Sequence, residues 1–477
     1  METEMMRPAL LLPEMLLAAG ALAALIGGSF VARDRQWFIR AFTIAVLVAT
    51  IVAAAIQLRE PATSAFDDSF AVDTATGFAR ILAATGTLLI LAIAADEISG
   101  SPRESETYAL LLFATVGAVL LAGANDLLVL AVGFLLASIP LYALIGLAAT
   151  AAGAEAAMKT YLMGALFGIL LLLGVTILSG LAGTTGYTEL AERLPDAPRA
   201  VATVAVVALI AGLMFKAGGV PAHFWVPDAA QGATATAATF LTTVPKIGAL
   251  VAVYRLATVL PTSTSWPIVV AAIAVASMTL GNLAAYWQSD PRRLLGWSTV
   301  SQVGFALVPV VAVDRSNLAL PSLLVYLAGY TVTNIAAFAV SAALPQHRDL
   351  TDYRGLAARR GGLAAALLVA LLGLVGTPPT AVFVGKLTTA AAAWDGGYAW
   401  LAVVVFVNTV ISLFYYLRWI VPAYRDAALA SSGGDHSAPP PEHPARRWSA
   451  RLAVTGAALS LVVGVAAGLL WNVAAGI

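Results

Sequence analysis

Three lysines lie within long apolar stretches of the sequence, where a charged side chain is costly. They are Lys216, Lys246 and Lys386, and with Lys159 they make up the four lysines of the 477-residue chain. A lysine at the centre of a membrane-spanning helix costs roughly 2.5–3.5 kcal/mol on insertion scales. Removal from water favours a neutral amine over an ammonium ion, so such a group can accept and release protons. Three of them on separate spans predict a proton relay; the alternative is that their flexible stems carry the ammonium groups to an interface.

Four other titratable residues stand near these spans. His223 follows Lys216 by seven residues and either passes protons towards the cytoplasmic side or forms an ordinary hydrogen bond at a span end. Asp228, after Pro227, is either a helix N-cap or a proton-transfer group. Lys159 stands at the cytoplasmic start of the sixth span, and Glu14 stands near the outer edge of the first. Glu14 is a relay candidate, with a satisfied interfacial carboxylate as the alternative.

The tenth and eleventh apolar runs carry uncharged polar residues that could hold water. Such hydroxyls and amides more often pair between helices, so this signal for a proton path is weak. The residues are Ser298, Thr299, Ser301 and Gln302 in one run, and Tyr330 and Asn334 in the other.

The composition places the chain in a lipid bilayer. Hydrophobic residues make up 60% of the sequence and charged residues 11%, against about 25% charged residues in soluble domains. The zero net charge gives no electrostatic case for nucleic-acid binding. The absence of cysteine excludes disulfides, thiolate catalysis and cysteine-ligated metal centres. The four histidines show no metal-pair spacing, so no metal site is predicted.

Apolar runs long enough to cross a bilayer recur along the whole chain and predict an all-α polytopic protein of about fourteen spans. Of the 26 basic residues, three are the buried lysines; sixteen of the others fall on one side of this arrangement and seven on the other. The basic side is cytoplasmic, which places both termini outside, with residues 344–362 and 422–451 in the cytoplasm. The runs are 8–32, 37–57, 77–96, 108–124, 127–149, 160–183, 201–218, 235–258, 266–287, 295–313, 319–343, 363–388, 396–421 and 452–475.

Two runs, the seventh and the twelfth, contain glycine and proline at mid-membrane depth. The first interruption lies between Lys216 and His223, and the second between Gly373 and Lys386. Paired interruptions are typical of inverted-repeat transporters, although both could also be loop ends. We expect two inverted five-helix repeats. The predicted segments are a three-helix unit (1–107), the two repeats (108–258 and 266–421), a cytoplasmic linker (422–451) and a final helix (452–477).

These segments resemble the antiporter-like membrane subunits of NADH:quinone oxidoreductase (respiratory complex I), most closely its subunit N. The resemblance covers spans four to thirteen, and its motifs are specific in combination. They are Phe215–Asp228, Gly232-Ala233, Val244–Lys246, Asp290–Phe305, Gly376–Lys386, Met158–Tyr161 and Pro140–Tyr142.

The resemblance implies roles for the lysines and partners for the chain. Lys216 matches the lysine of the family's seventh helix, Lys246 the central lysine of the eighth, and Lys386 the outlet lysine of the twelfth. Such subunits work in the membrane arm beside other membrane subunits and hold no cofactor. NADH, flavin, iron–sulfur clusters and quinone belong to partner subunits. The expected location is therefore the inner (plasma) membrane of a cell.

The sequence departs from the family pattern at two positions. Leu135 stands where the fifth helix normally carries a glutamate that pairs with the seventh-helix lysine, and Gln302 stands where subunit N commonly has a histidine. The first hypothesis remains a proton-translocating subunit of a complex I-type enzyme. The alternatives are a structural spacer that no longer conducts and a subunit of a multisubunit sodium/proton antiporter.

Overall fold

The computed structural model describes residues 7–425 and 444–476 as a bundle of helices with one short hairpin. The hairpin strands are β1 (Thr63–Ala65) and β2 (Phe70–Val72). The helices are α1 (Leu12–Phe30), α2 (Trp37–Gln57), α3 (Thr74–Glu97), α4 (Glu104–Gly123), α5 (Leu127–Gly146), α6 (Ala151–Ala182), α7 (Tyr187–Arg193), α8 (Arg199–Ala217), α9 (Trp225–Gly232), α10 (Ala235–Val259), α11 (Trp266–Ala285), α12 (Pro291–Val311), α13 (Ala319–Ala343), α14 (Leu356–Arg359), α15 (Gly361–Val375), α16 (Ala381–Asp395), α17 (Ala399–Tyr424), α18 (Arg447–Val465) and α19 (Ala467–Ala475).

Thirteen of the described helices are long and apolar enough to cross a membrane. The two shorter helices α15 and α16 follow one another around a break and together supply a fourteenth crossing. The prediction of a polytopic helical protein with about fourteen spans is therefore confirmed, and so are the breaks in the seventh and twelfth. Two spans differ most from their predicted bounds: α6 begins at Ala151 instead of residue 160, and the last run, 452–475, is divided between α18 and α19.

The helix ends follow from the sequence at several places. Asp73, Asp126 and Asp290 accept hydrogen bonds from backbone N–H groups in the first turns of α3, α5 and α12. These carboxylates satisfy donors that the helices leave unpaired. Thr150 caps α6 in the same way, which explains why that helix starts before the apolar run does.

Helices α10 and α13 form the centre of the bundle, and both are buried over their whole apolar length. The outermost helices include α1, α2 and α6, which keep broad apolar faces exposed. Small residues allow the inner helices to approach closely. A methyl group at Gly248 of α10, for example, would lie 2.0 Å from the carbonyl oxygen of Ala118 in α4. Lys246 belongs to α10 and therefore lies at the centre of the bundle.

Candidate functional site

The first helix break brings Lys216 and Lys246 to one place. Helix α8 ends at Ala217, and Gly218 follows in a left-handed conformation with φ of 81°. Glycine adopts this conformation without the steric cost that a side chain would add. The chain then crosses a segment with a cis Val220-Pro221 bond before α9 begins at Trp225. Trp225 Nε1 donates to the Phe215 carbonyl at 3.2 Å, which ties α9 back to the end of α8.

Lys246 enters this break from the central helix α10. Its Nζ lies 4.8 Å from the ring centroid of Trp225, and a methyl group at Gly218 would lie 2.9 Å from the same nitrogen. The glycine therefore leaves the space that the amine occupies. Lys246 is completely buried, and its Nζ has no hydrogen-bond partner among the residues that the structure describes.

Lys216 stands on the other side of the break, near the end of α8. Its Nζ lies 5.4 Å from the ring centroid of Phe134 and 5.6 Å from that of Phe215. Ring faces attract a cation but supply no acceptor atom. In the described part of the chain this buried amine also lacks a hydrogen-bond partner. Two buried amines without hydrogen-bond partners among the described residues therefore lie at the same helix break.

The second break holds Lys386 in a different way. Helix α15 ends at Val375, and Gly376 follows with φ of 89°, ahead of a cis Pro378-Pro379 bond. Lys386 Nζ donates to the carbonyls of Val375 at 2.8 Å and Leu374 at 3.2 Å. It also lies 3.8 Å from the ring centroid of Phe305. The helix break thus supplies free carbonyls that bind an ammonium group.

Polar side chains of α12 and α13 connect the regions around the two breaks. Gln302 Nε2 donates to the Leu374 carbonyl at 2.9 Å, so Gln302 and Lys386 share one acceptor. Tyr326 in turn donates its hydroxyl to Gln302 Oε1. Towards α10, Tyr330 donates to the Thr242 carbonyl at 2.6 Å. Residues that the sequence marked only as a weak signal therefore lie between Lys246 and Lys386.

Thr299 and Asn334 belong to the polar group around Tyr330 and Thr242. The Tyr330 hydroxyl also lies 3.1 Å from Thr299 Oγ1, and Asn334 Nδ2 donates to Thr242 Oγ1 at 3.2 Å. The fully buried Asn334 Oδ1 has no partner within the described residues. Hydroxyls can both accept and donate protons, which is the chemistry that a proton path needs.

His223 and Asp228 lie on the predicted cytoplasmic side of the first break. The His223 ring packs 5.5 Å from that of Trp297 in α12. The N-cap interpretation of Asp228 is wrong, because α9 begins three residues earlier, with Phe224 at its N-cap position. Asp228 instead binds Lys159 at 2.9 Å and also pairs with Arg293. This carboxylate therefore bridges two cations of neighbouring helices.

Glu14 lies far along the sequence from the lysines and forms a buried ion pair. Its two oxygens accept hydrogen bonds from Arg80 Nε at 2.7 Å and Nη2 at 2.8 Å. Arg80 also donates to Gln57 Oε1 and to the Leu10 carbonyl. The sequence did not mark Arg80 as the partner of Glu14, because two residues 66 positions apart carry no pairing signal.

Comparison with known proteins decides the family. A family model described as NADH:quinone oxidoreductase/Mrp antiporter, TM, matches residues 124–412. NADH-quinone oxidoreductase subunit N of Mycobacterium sp. (strain JLS) is 64% identical over 469 residues, covering 98% of both chains. This chain belongs to that family. A subunit N of Streptomyces griseus, designated N 1, is 49% identical and covers 98% of this chain and 97% of its own.

Solved structures of the family have the same fold. One chain of respiratory complex I from Thermus thermophilus superposes with a TM-score of 0.82 at 28% identity, covering 97% of this chain and 100% of its own. A chain of the Mrp complex from Dietzia sp. superposes with a TM-score of 0.83 at 22% identity, covering 97% and 96%. At that lower identity the second match supports the fold alone.

Leu135 stands where the resemblance of the sequence implies a glutamate, and it does not point into the bundle core. Leu135 of α5 is 44% exposed, whereas its neighbour Phe134 is buried and contacts Lys216. Ser138, on the following turn, donates to the Phe134 carbonyl at 2.6 Å. No carboxylate of the described residues forms an ion pair with Lys216. The first amine of the proposed relay is therefore lined by aromatic rings within this chain.

Proposed function

We propose that this chain is the proton-translocating, antiporter-like membrane subunit of a complex I-type NADH:quinone oxidoreductase, in the position of subunit N. The 64% identity to a mycobacterial subunit N extends over 98% of both chains, and the fold matches a chain of Thermus complex I. Its partners are then the other membrane-arm subunits of the enzyme.

The position of Lys246 is the observation that carries the proposal. The residue sits at the center of the bundle, fully buried, with its amine beside the helix break at Gly218. A buried group without a protein partner either binds water or loses its charge. Both outcomes suit a site that is protonated and deprotonated in turn.

In the proposed mechanism, protons move between the three lysines. Lys216 and Lys246 share one break, so a proton arriving at one displaces a proton from the other by like-charge repulsion. The hydroxyl and amide groups of Tyr330, Thr299 and Gln302 lie on the way to Lys386, where two carbonyls hold the ammonium ion. His223 serves the cytoplasmic side of the first break.

The driving force comes from elsewhere in the enzyme. Moving one charge across 100 mV takes about 2.3 kcal/mol, so the lysines cannot pump unless redox chemistry in partner subunits drives them. NADH, flavin, iron–sulfur clusters and quinone are assigned to those partners in this proposal. The chain has no cysteine that could hold an iron–sulfur cluster.

The proposed location is the inner (plasma) membrane of a bacterial cell, with both termini outside. Clustered basic residues support this orientation. Arg292, Arg348 and Arg446 line one cavity, and Lys159 and Arg293 meet at Asp228.

The function is tested with Lys246→Ala and Lys386→Ala. Removing a buried charge makes membrane insertion easier, so we expect assembled complexes whose ratio of translocated protons to transferred electrons is lower than in the wild type. Lys246→Met controls for side-chain volume and should behave like the alanine variant. Wild-type ratios in both alanine variants would refute the relay.

A spacer subunit without proton conduction is the second candidate, favoured by the aromatic lining of Lys216 and the exposed position of Leu135. It predicts unchanged proton-to-electron ratios in all lysine variants. Identification of co-purifying partners separates both candidates from a sodium/proton antiporter, which would bring antiporter subunits instead of quinone-reductase subunits.

A further inference from the structure

Glu97, the last residue of α3, reaches the start of the helix that carries Lys246. Its carboxylate accepts hydrogen bonds from Ala235 N at 2.8 Å, Thr236 N at 2.7 Å and the Thr236 hydroxyl at 2.7 Å. It therefore caps α10 although it lies 138 residues away. A single carboxylate is in direct contact with the backbone and with the first hydroxyl of the central helix.

The same carboxylate lines a cavity at the predicted cytoplasmic end of the bundle. The cavity has a volume of about 90 Å³. Arg446 Nη1 lies 3.9 Å from Glu97 Oε1. The adjacent Asp96 binds Ser449 of α18. The other charged or titratable residues that line this cavity are Asp290, Arg292, His347 and Arg348. Three arginines and two carboxylates therefore line this cavity, and Glu97 is the carboxylate that caps α10.

From Glu97, one face of α10 carries hydroxyl groups to Lys246. Thr236, Thr239, Thr243 and Lys246 are spaced by three, four and three residues. At 100° per residue they fall within about 80° of each other around the helix. All four side chains are fully buried. Three hydroxyl groups and one amine therefore follow one another through the interior of the bundle.

The spacing along this face suits bridging by water. Three to four residues rise about 4.5–6 Å along the helix, and one water that bonds two hydroxyls spans about 5.5 Å. Thr239 donates to the Ala235 carbonyl within its own helix and keeps lone pairs for a bridging molecule. The unpaired Asn334 Oδ1 lies beside Thr242 on the adjoining side of α10, where it requires a donor.

We propose that Glu97 is the cytoplasmic proton entrance to Lys246, with the Thr236–Thr239–Thr243 hydroxyls and bridging waters as its path. Each transfer takes one proton from the aqueous cavity onto the Glu97 carboxylate. Each hydroxyl and water then accepts one proton and releases another, and Lys246 gains one proton net. The path bypasses Lys216, which lacks a carboxylate partner at position 135. The inference rests on the proposed function, because it presumes that Lys246 is protonated during turnover.

The test compares two neighbouring carboxylates with the same structural task. Asp96 caps α18 through Ser449 N at 2.6 Å and its hydroxyl at 2.9 Å, but α18 leads to no buried lysine among the described residues. Glu97→Gln keeps one of the two acceptor oxygens that cap α10 and cannot take up a proton as a carboxylate does. We expect Glu97→Gln to lower the proton-to-electron ratio of the complex as much as Lys246→Ala does, whereas Asp96→Asn leaves it unchanged.

The pH dependence of coupled turnover gives a second measurement, which a loss of helix capping alone would leave unchanged. Without the collecting carboxylate, the alkaline decline of coupled turnover in Glu97→Gln should shift to lower pH by about one unit, a tenfold change in proton concentration. Equal losses in Glu97→Gln and Asp96→Asn with unshifted profiles would overturn the inference.

A second pair of variants covers the case in which Glu97→Gln does not assemble. Thr239→Val removes a hydroxyl that bonds only within its own helix, and Thr50→Val is its control, a buried threonine of α2 bonded to the Val46 carbonyl. A lower ratio in Thr239→Val alone supports the path, and equal ratios overturn it. If Lys246→Ala lowers the ratio but Thr239→Val and Glu97→Gln do not, the entrance is wrong and the proposed function stands. If Lys246→Ala has no effect, the proposed function fails.

Discussion

Removing one partner of the Glu14–Arg80 ion pair should destabilise the protein strongly, while removing both should cost much less. Arg80 is completely buried, and its guanidinium binds both oxygens of Glu14. Glu14→Leu leaves that cation without a counter-charge, which costs about 3–5 kcal/mol in buried pairs. The stability of the N-terminal helices would then depend on a charge that nothing neutralises.

The double variant Glu14→Leu/Arg80→Met removes this charge. The Leu10 carbonyl and Gln57 Oε1 each lose one donor, and a lost neutral hydrogen bond costs about 1 kcal/mol. Both acceptors are partly exposed, so the double variant should lose about 1–2 kcal/mol in total. It should therefore be more stable than Glu14→Leu, although it carries one more substitution.

Thermal unfolding of the purified complex, followed by release of this subunit, measures the effect. Asp34→Asn is the control, because its contact with Arg35 at 4.0 Å is exposed and such pairs contribute little. Proton-to-electron ratios are measured on the same samples. A Glu14→Leu complex that melts like the wild type but pumps fewer protons would refute the structural interpretation and make Glu14 a relay group.

The other predictions concern the second helix break, the orientation and the ion pair between Asp73, at the start of α3, and Arg255 of α10. Gly376→Ala places a methyl group 3.0 Å from the Lys386 side chain at a residue with φ of 89°, so it should destabilise the subunit by about 1–2 kcal/mol. Gly180→Ala, with no neighbour within 4 Å, is the control and should not destabilise it. Melting temperatures of the two variants and the wild type test this difference. A cysteine introduced at Ala358 should not react with an impermeant maleimide added to intact cells, whereas one at Ala62 should react. The reverse labelling pattern would invert the predicted topology. Ser437 is a further predicted cytoplasmic probe position, and it lies outside the described residues. Burial raises the pKa of Asp73, but the guanidinium of Arg255 outweighs it and holds that pKa below its usual range. The ion pair with Arg255 therefore stabilises the protein at neutral pH, and this stabilisation is lost as the pH falls through the lowered pKa of Asp73. Asp73→Asn should lower the melting temperature at pH 7, and in acid the melting temperatures of the variant and the wild type should converge.

Much of the fold could be predicted because a bilayer imposes length and polarity on each span. The apolar runs gave the number of crossings, and the glycine and proline clusters gave both breaks. The twelfth span was predicted as a broken run over 363–388, and its two helices extend beyond these bounds, from Gly361 to Asp395. The apolar run did not mark the far end of the second helix, because that helix is less apolar than the first and ends on Trp394 and Asp395.

The candidate site was less predictable than the spans. Insertion cost marks Lys216, Lys246 and Lys386 in the sequence, since each stands alone in an apolar run. The sequence did not distinguish Lys386, which is held by two carbonyls, from Lys246, which has no hydrogen-bond partner among the described residues. Acceptors freed by a helix break carry no side-chain signature.

The sequence by itself determined that this is a multi-span membrane protein with three buried lysines and two interrupted helices. Tertiary structure alone decided which groups meet: Glu14 with Arg80, Asp228 with Lys159, and Glu97 with the start of α10. The physical reason is range. Hydropathy and backbone breaks are local properties that each segment carries in its own residues, whereas these contacts join segments tens of residues apart, and they form only when the whole bundle has packed.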